Sequence, residues 1–148
     1  MNREIIETIQ NRILRLLPVD QRNQPGVLLA DSCSEVSRLI AGWIKSQDES
    51  IQIIILKGAN VCDTKKSHDI LAVITMDNKV YIIDPTIWQF FPQAESILVF
   101  VSENIDTALN KLKTIYGGGW AESEKFIQMS KDEEKKCLDI IVKNFHDN

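Results

Sequence analysis

Ile51-Gln52-Ile53-Ile54-Ile55-Leu56 is a β-branched run ended by Gly58. β-Branched side chains fit a pleated surface, and a run with so little polar alternation reads as a buried strand. The chain around it must therefore supply a sheet. Ile70 to Thr75 and Val80 to Ile83 read as two further strands, joined as a hairpin at Met76-Asp77-Asn78-Lys79. Ile97 to Val101 reads as another. Helical patterns flank this block. From Arg3 to Leu17, Ile5, Ile6, Ile9, Ile13, Leu16 and Leu17 form one stripe that Pro18 stops. Pro18 to Asp31 is a polar linker, with a turn at Gln24-Pro25-Gly26 and a short apolar Val27-Leu28-Leu29. Asn104 to Ile115 is helical and ends at Gly117-Gly118-Gly119. Ser130 with Glu133 forms a capping box that opens a last helix, expected to bury Leu138, Ile141, Val142 and Phe145. Helices first and antiparallel strands after them imply an α+β fold in which N-terminal helices pack on a small antiparallel sheet. Residues 1–148 are expected to form one domain, long enough to bury a real core.

Composition excludes several classes. A net charge of -4 without a basic cluster gives no basis for binding nucleic acid or an anionic membrane. No segment approaches the ~20 apolar residues that span a bilayer. Three cysteines, Cys33, Cys62 and Cys137, are an odd count at unrelated spacings, which argues for a reducing compartment over a disulfide framework. Met1 to Ile5 opens an amphipathic segment and not a signal-peptide core, so the expected location is the cytoplasm, with export by a signal-less route left open. Gly117-Gly118-Gly119 follows a helix where a phosphate cradle would open one, so no cofactor is expected. Cys33, Cys62, His68 and Cys137 are zinc-ligand types, but they lack the paired close spacing of zinc motifs, so no metal is expected either.

The chemistry concentrates around Ser32 to Ile44. Val36, Leu39, Ile40, Trp43 and Ile44 fall on one helical face, and Cys33 starts that face in the first turn. Ser32 is placed to cap the helix, with Glu35 reaching back to complete a capping box. A thiol here sits where unpaired N–H groups and the positive end of the helix favour an anion. The helix alone also fits, and more commonly holds, an inert thiol filling the top of a core-facing helix. His68 begins the first hairpin strand and Asp84 ends the second, an even number of residues away, so an odd-length turn puts both on one face. Cysteine, histidine and carboxylate in that arrangement supply a nucleophile, a base and an orienting group. The other histidine, His146, lies in the C-terminal tail, so a histidine-dependent reaction must use His68. A turn at Asp77-Asn78 sets Asp84 opposite about residue 72, up to four residues and about 13 Å along the strand from His68. A bulge, or a turn shifted toward Met76, must bring them together. Read apart, His68 could be a histidine with no task and Asp84 a turn former before Pro85. Trp88, Phe90, Phe91 and Gly119-Trp120 read as edges of the core.

Cys33 at a helix start, Ser67-His68 opening a strand, and Val80-Tyr81-Ile82-Ile83-Asp84-Pro85-Thr86 together resemble the transglutaminase-like branch of the papain-like cysteine superfamily. The likeness covers Ser32 to Thr86. That group shares a Cys-His-Asp order and includes transglutaminases, peptidases, bacterial glutamine-deamidating effectors and papain-fold toxin domains. The resemblance implies a papain-like fold and a thiol-dependent acyl transfer on amide groups of a protein or peptide. It implies Cys33 as nucleophile, His68 as base and then acid, and Asp84 as its orienter. The Cys33 backbone N–H at the helix start is the expected oxyanion donor, worth about 2.7–4 kcal/mol when aligned. A modifying enzyme of effector or toxin type, such as a glutamine deamidase or transamidase, is favoured over a digestive peptidase. The alternative is a non-catalytic interaction domain that keeps this fold, with Asp31 and Asp69 spoiling the site.

Overall fold

The computed structural model describes residues 3–17 and 31–147. Among them are four α-helices, α1 (Arg3–Leu14), α2 (Cys33–Gln47), α3 (Ile105–Tyr116) and α4 (Lys131–Asp147). Five strands, β1 (Gln52–Ala59), β2 (His68–Ile74), β3 (Val80–Asp84), β4 (Leu98–Ser102) and β5 (Gly119–Lys125), form one antiparallel sheet in the order β4-β3-β2-β1-β5. The class is α+β, with N-terminal helices on an antiparallel sheet. The turn at Gln24-Pro25-Gly26 and the apolar Val27-Leu28-Leu29 lie outside the described residues.

Strand parity divides the core between the two faces of the sheet. Ile53 and Ile55 of β1, Leu71 and Val73 of β2 and Ile83 of β3 pack with Ile9 and Ile13 of α1 and Val36, Ile40 and Ile44 of α2. Leu56, Ile70, Ala72, Val80 and Ile82 point the other way, against Ala108, Leu112 and Tyr116 of α3. The middle strand β2 is therefore covered on both sides, and every residue from His68 to Val73 is buried. Each fully buried Ile or Leu contributes about 1.5–3 kcal/mol, so this two-faced packing fixes the register of the strands that carry the candidate residues.

Three features depart from the expectations. β5 continues the sheet past Gly117-Gly118-Gly119, where the sequence shows only a helix end. Its side chains are almost all exposed, so it carries no apolar alternation to be read, and its charged residues suit an edge strand. Gly118 makes the junction possible: its φ is +73°, and a Cβ there would lie 2.2 Å from the Ala59 carbonyl oxygen. Second, α4 opens with the expected capping box, Glu133 N donating to Ser130 Oγ at 3.2 Å and Ser130 N to Glu133 Oε1 at 3.1 Å. It buries only part of the expected stripe, however. Ile141 is 1 % exposed, whereas Leu138 is 40 % and Val142 48 % exposed, because α1 and α2 already cover that face of the sheet. The side chain of Phe145 lies outside the described residues. Third, the capping box expected at Ser32 and Glu35 does not form. Ser32 makes no side-chain cap; its buried Oγ instead accepts a hydrogen bond from Asn144 Nδ2 of α4 at 2.8 Å.

Candidate active site

The β2–β3 hairpin turns through Thr75 to Lys79. Thr75 N donates to Lys79 O at 3.1 Å and Asn78 N to Thr75 O at 2.9 Å, with Asn78 at φ 63°. Asparagine tolerates that left-handed conformation. Leu71 pairs with Ile83 and Ile74 with Val80, so the turn is centred on Asp77. One step beyond the Leu71–Ile83 pair, Asp84 falls opposite Ile70, two residues from His68 and on the same face. Diagonal neighbours of this kind lie about 7–8 Å apart at the backbone, a gap that long side chains bridge. No bulge is needed. His68 Nε2 and Asp84 Oδ2 are 2.7 Å apart, both side chains fully buried.

Asp84 is held from three sides. Its Oδ2 also accepts a hydrogen bond from the Tyr116 hydroxyl at the end of α3, and its Oδ1 accepts one from Thr86 N at 3.0 Å. This carboxylate acts strongly on the imidazole. Burial is the largest single influence on His68 and favours the neutral ring. The charge and hydrogen bond of Asp84, joined by those of the Cys33 thiol, outweigh it and push the pKa up to about 10. Tyr116 is pushed above its usual value, first by burial and then by the Asp84 charge, so its phenol stays protonated and donates. Three aromatic rings wall the imidazole: Phe90 edge-on with centroids 4.8 Å apart, Tyr116 at 5.5 Å and Trp120 at 6.4 Å.

With Nε2 taken by Asp84, Nδ1 is the nitrogen left for sulfur. It is buried and has no aligned hydrogen-bond partner among the described residues. Cys33, half-buried at the first position of α2, is the thiol that acts on the ring. Two tethers set this approach. One turn along α2, buried Ser37 Oγ donates to the backbone oxygen of Asp69, the residue after His68, at 3.1 Å. At the other end, Asn144 of α4 ties Ser32 and, at 3.3 Å, the Asp31 carbonyl. The first helical hydrogen bond of α2 runs from Val36 N to Ser32 O at 2.9 Å, so the N–H groups before Val36 belong to the unpaired first turn.

Cys33 lines an open cleft of about 460 Å³, together with Ser34, Glu35, Lys66, Gln89 and Phe90. Asp69 also borders it. Its side chain is 6 % exposed, and its carboxylate is taken up by Arg38 Nη1 at 3.3 Å and Lys57 Nζ at 3.9 Å, so its charge is countered in place. His68 lies behind the thiol and is closed to solvent. A small group entering the cleft meets sulfur first and imidazole second.

All three sequence candidates are thus gathered at one end of the sheet. Sequence reasoning missed Tyr116, which it passed over at the end of α3 beside the glycines. An aromatic seven residues after Leu109 and four after Leu112 was the available signal that it faces the sheet. It also set Phe90 with the core edges, whereas Phe90 borders both His68 and the cleft. Of the three thiols, only Cys33 acts on the imidazole; Cys62 packs near Tyr116, and Cys137 lies on α4. Burial and then Asp63 raise the pKa of Cys62, and burial and then Glu35 raise that of Cys137. Among the described residues, no group of three or more His, Cys, Asp or Glu side chains is arranged to hold a metal ion, and no helix is long and apolar enough to cross a membrane. Compared with protein-family models, curated proteins and solved structures, the chain matches none.

Proposed function

We propose that this protein is a cysteine-dependent acyl-transfer enzyme of papain-like, transglutaminase-like type that acts on amide groups of a protein or peptide. The reading rests on one observation: the 2.7 Å contact of His68 Nε2 with Asp84 Oδ2, buried directly behind the half-buried Cys33 thiol at an open cleft. Cys33 Sγ, having given its proton to His68, attacks the amide carbon. A C–S bond forms, and the carbonyl oxygen takes up the electron pair beside the N–H groups of the α2 first turn. The tetrahedral species collapses with cleavage of the C–N bond, and His68 returns the proton to the departing nitrogen. Water or an amine then attacks the thioester, gives a proton to His68 and displaces the thiol. Asp84 keeps the ring in one orientation and stabilises the imidazolium throughout.

A cleft bordered by Lys66, Glu35, Gln89 and a single aromatic, Phe90, suits a polar carboxamide side chain better than a run of apolar residues. That favours deamidation or transamidation over proteolysis. The alternative is an interaction domain with Asp31 and Asp69 spoiling the site; of these, Asp69 has its charge countered by Arg38 and Lys57. The experiment is incubation of the protein with a panel of glutamine-bearing proteins and a primary amine, read by intact mass. A gain of about 1 Da per event marks deamidation, addition of the amine marks transamidation, and fragments mark proteolysis. Loss of each product with Cys33→Ser supports the reading; products that persist in Cys33→Ser defeat it.

A further inference from the structure

Tyr116 shares a single oxygen atom with the catalytic base. Its hydroxyl and His68 Nε2 both point at Asp84 Oδ2, while Thr86 N takes Oδ1. The ring is 2 % exposed and its packing against Phe91 and Trp120, both at 5.3 Å, does not involve the hydroxyl. A phenylalanine would fill the same space. The hydroxyl is therefore not required to close the core, and its one hydrogen bond goes to the orienting carboxylate.

We infer that Tyr116 is a positioning residue that tempers the basicity of His68 by drawing off part of the Asp84 charge through Oδ2. The inference rests on the acyl-transfer reading for its catalytic meaning. An imidazolium held by a fully charged, buried carboxylate binds its proton too tightly to pass it to a leaving nitrogen. A donor on the same oxygen loosens that grip and holds the carboxylate in the plane that His68 needs. The groups that face this cluster are few. His68 meets Asp84 from β3, Cys33 from α2 and Tyr116 from α3, and Tyr116 meets Asp84 and, from the loop before β2, Cys62. The pKa of His68, already raised to about 10, has room to move either way.

The test is an NMR pH titration of the His68 ring in the full chain, assigned with His146→Gln because there are two histidines. Tyr116→Phe is expected to move the His68 midpoint upward by about half a pH unit or more, with the fold unchanged by amide chemical shifts. The chain has two tyrosines, so fluorotyrosine in a Tyr81→Phe background labels Tyr116 alone and makes it a stronger donor. There the midpoint is expected to move downward. Opposite shifts establish the role. No shift, or shifts of the same sign, overturns it, and the fluorinated protein keeps the test decisive where Tyr116→Phe fails to fold. The readout needs no substrate. A null titration in a protein whose Cys33 still depends on His68 therefore sinks this inference alone, whereas loss of that dependence sinks the enzyme reading.

Discussion

Asp84 stands opposite Ile70 and reaches His68 on the diagonal, so the contact exists only because the hairpin turn is centred on Asp77. One residue of slip would send Asp84 to the other face of the sheet, toward α2 and away from the imidazole. The burial of Leu71, Val73 and Ile83 on one face, and of Ile70, Ala72 and Ile82 on the other, prevents that slip. The core of the sheet and the candidate site thus depend on the same register.

Asp84→Asn should fold, because the amide still fits between Tyr116 and Thr86, yet it leaves His68 in the wrong tautomer. In the serine-protease triad the same change lowers turnover by about 10⁴, and a loss of that order is expected for any substrate the mass assay reveals. Near-normal turnover in a folded Asp84→Asn protein would remove Asp84 from the mechanism.

The His68–Asp84 pair also ties stability to pH. The histidine pKa is 6.5 in the unfolded chain and about 10 in the folded one. Below 6.5 both states are protonated and the full contribution is present. Between those values the native chain holds a proton the unfolded chain has lost, so stability falls as pH rises toward 10. Urea unfolding at about pH 6, 8 and 9.5 should show this decline, and His68→Gln should lack that share of it. Equal slopes in the two proteins would contradict it.

Much of this arrangement was legible in the sequence. The β-branched run at Ile51–Leu56 and the hairpin strands announced the sheet, because tertiary burial and local pattern agree there. The even spacing of His68 and Asp84 was enough to put them on one face. Their offset along the strands was misjudged by two residues, because the turn centre depends on how Asn78 enters the left-handed region. β5 was missed for the opposite reason: an edge strand with exposed side chains leaves no periodicity. In α4 the capping box was legible at Ser130 and Glu133. The depth of burial was not, since it depends on how much of the sheet α1 and α2 leave uncovered.

That difference in α4 is measurable. Ile141→Ala should cost about 2–5 kcal/mol, as for a buried large-to-small change, and Leu138→Ala only about 0.5 kcal/mol or less. Equal losses by chemical denaturation would mean that α4 buries the whole stripe.

The central claim is that Cys33 is activated by His68. Cys62 and Cys137 are both raised in pKa, by burial and by the acidic neighbours Asp63 and Glu35. Cys33 alone sits at a helix start with the imidazole beside it. The most direct measurement is competitive alkylation by iodoacetamide at pH ~6, followed by peptide mapping, in the natural chain and in His68→Ala. Cys33 should be alkylated well before the other two thiols, and that preference should vanish in His68→Ala. Reaction of Cys62 first, or an unchanged Cys33 rate without His68, would contradict the claim.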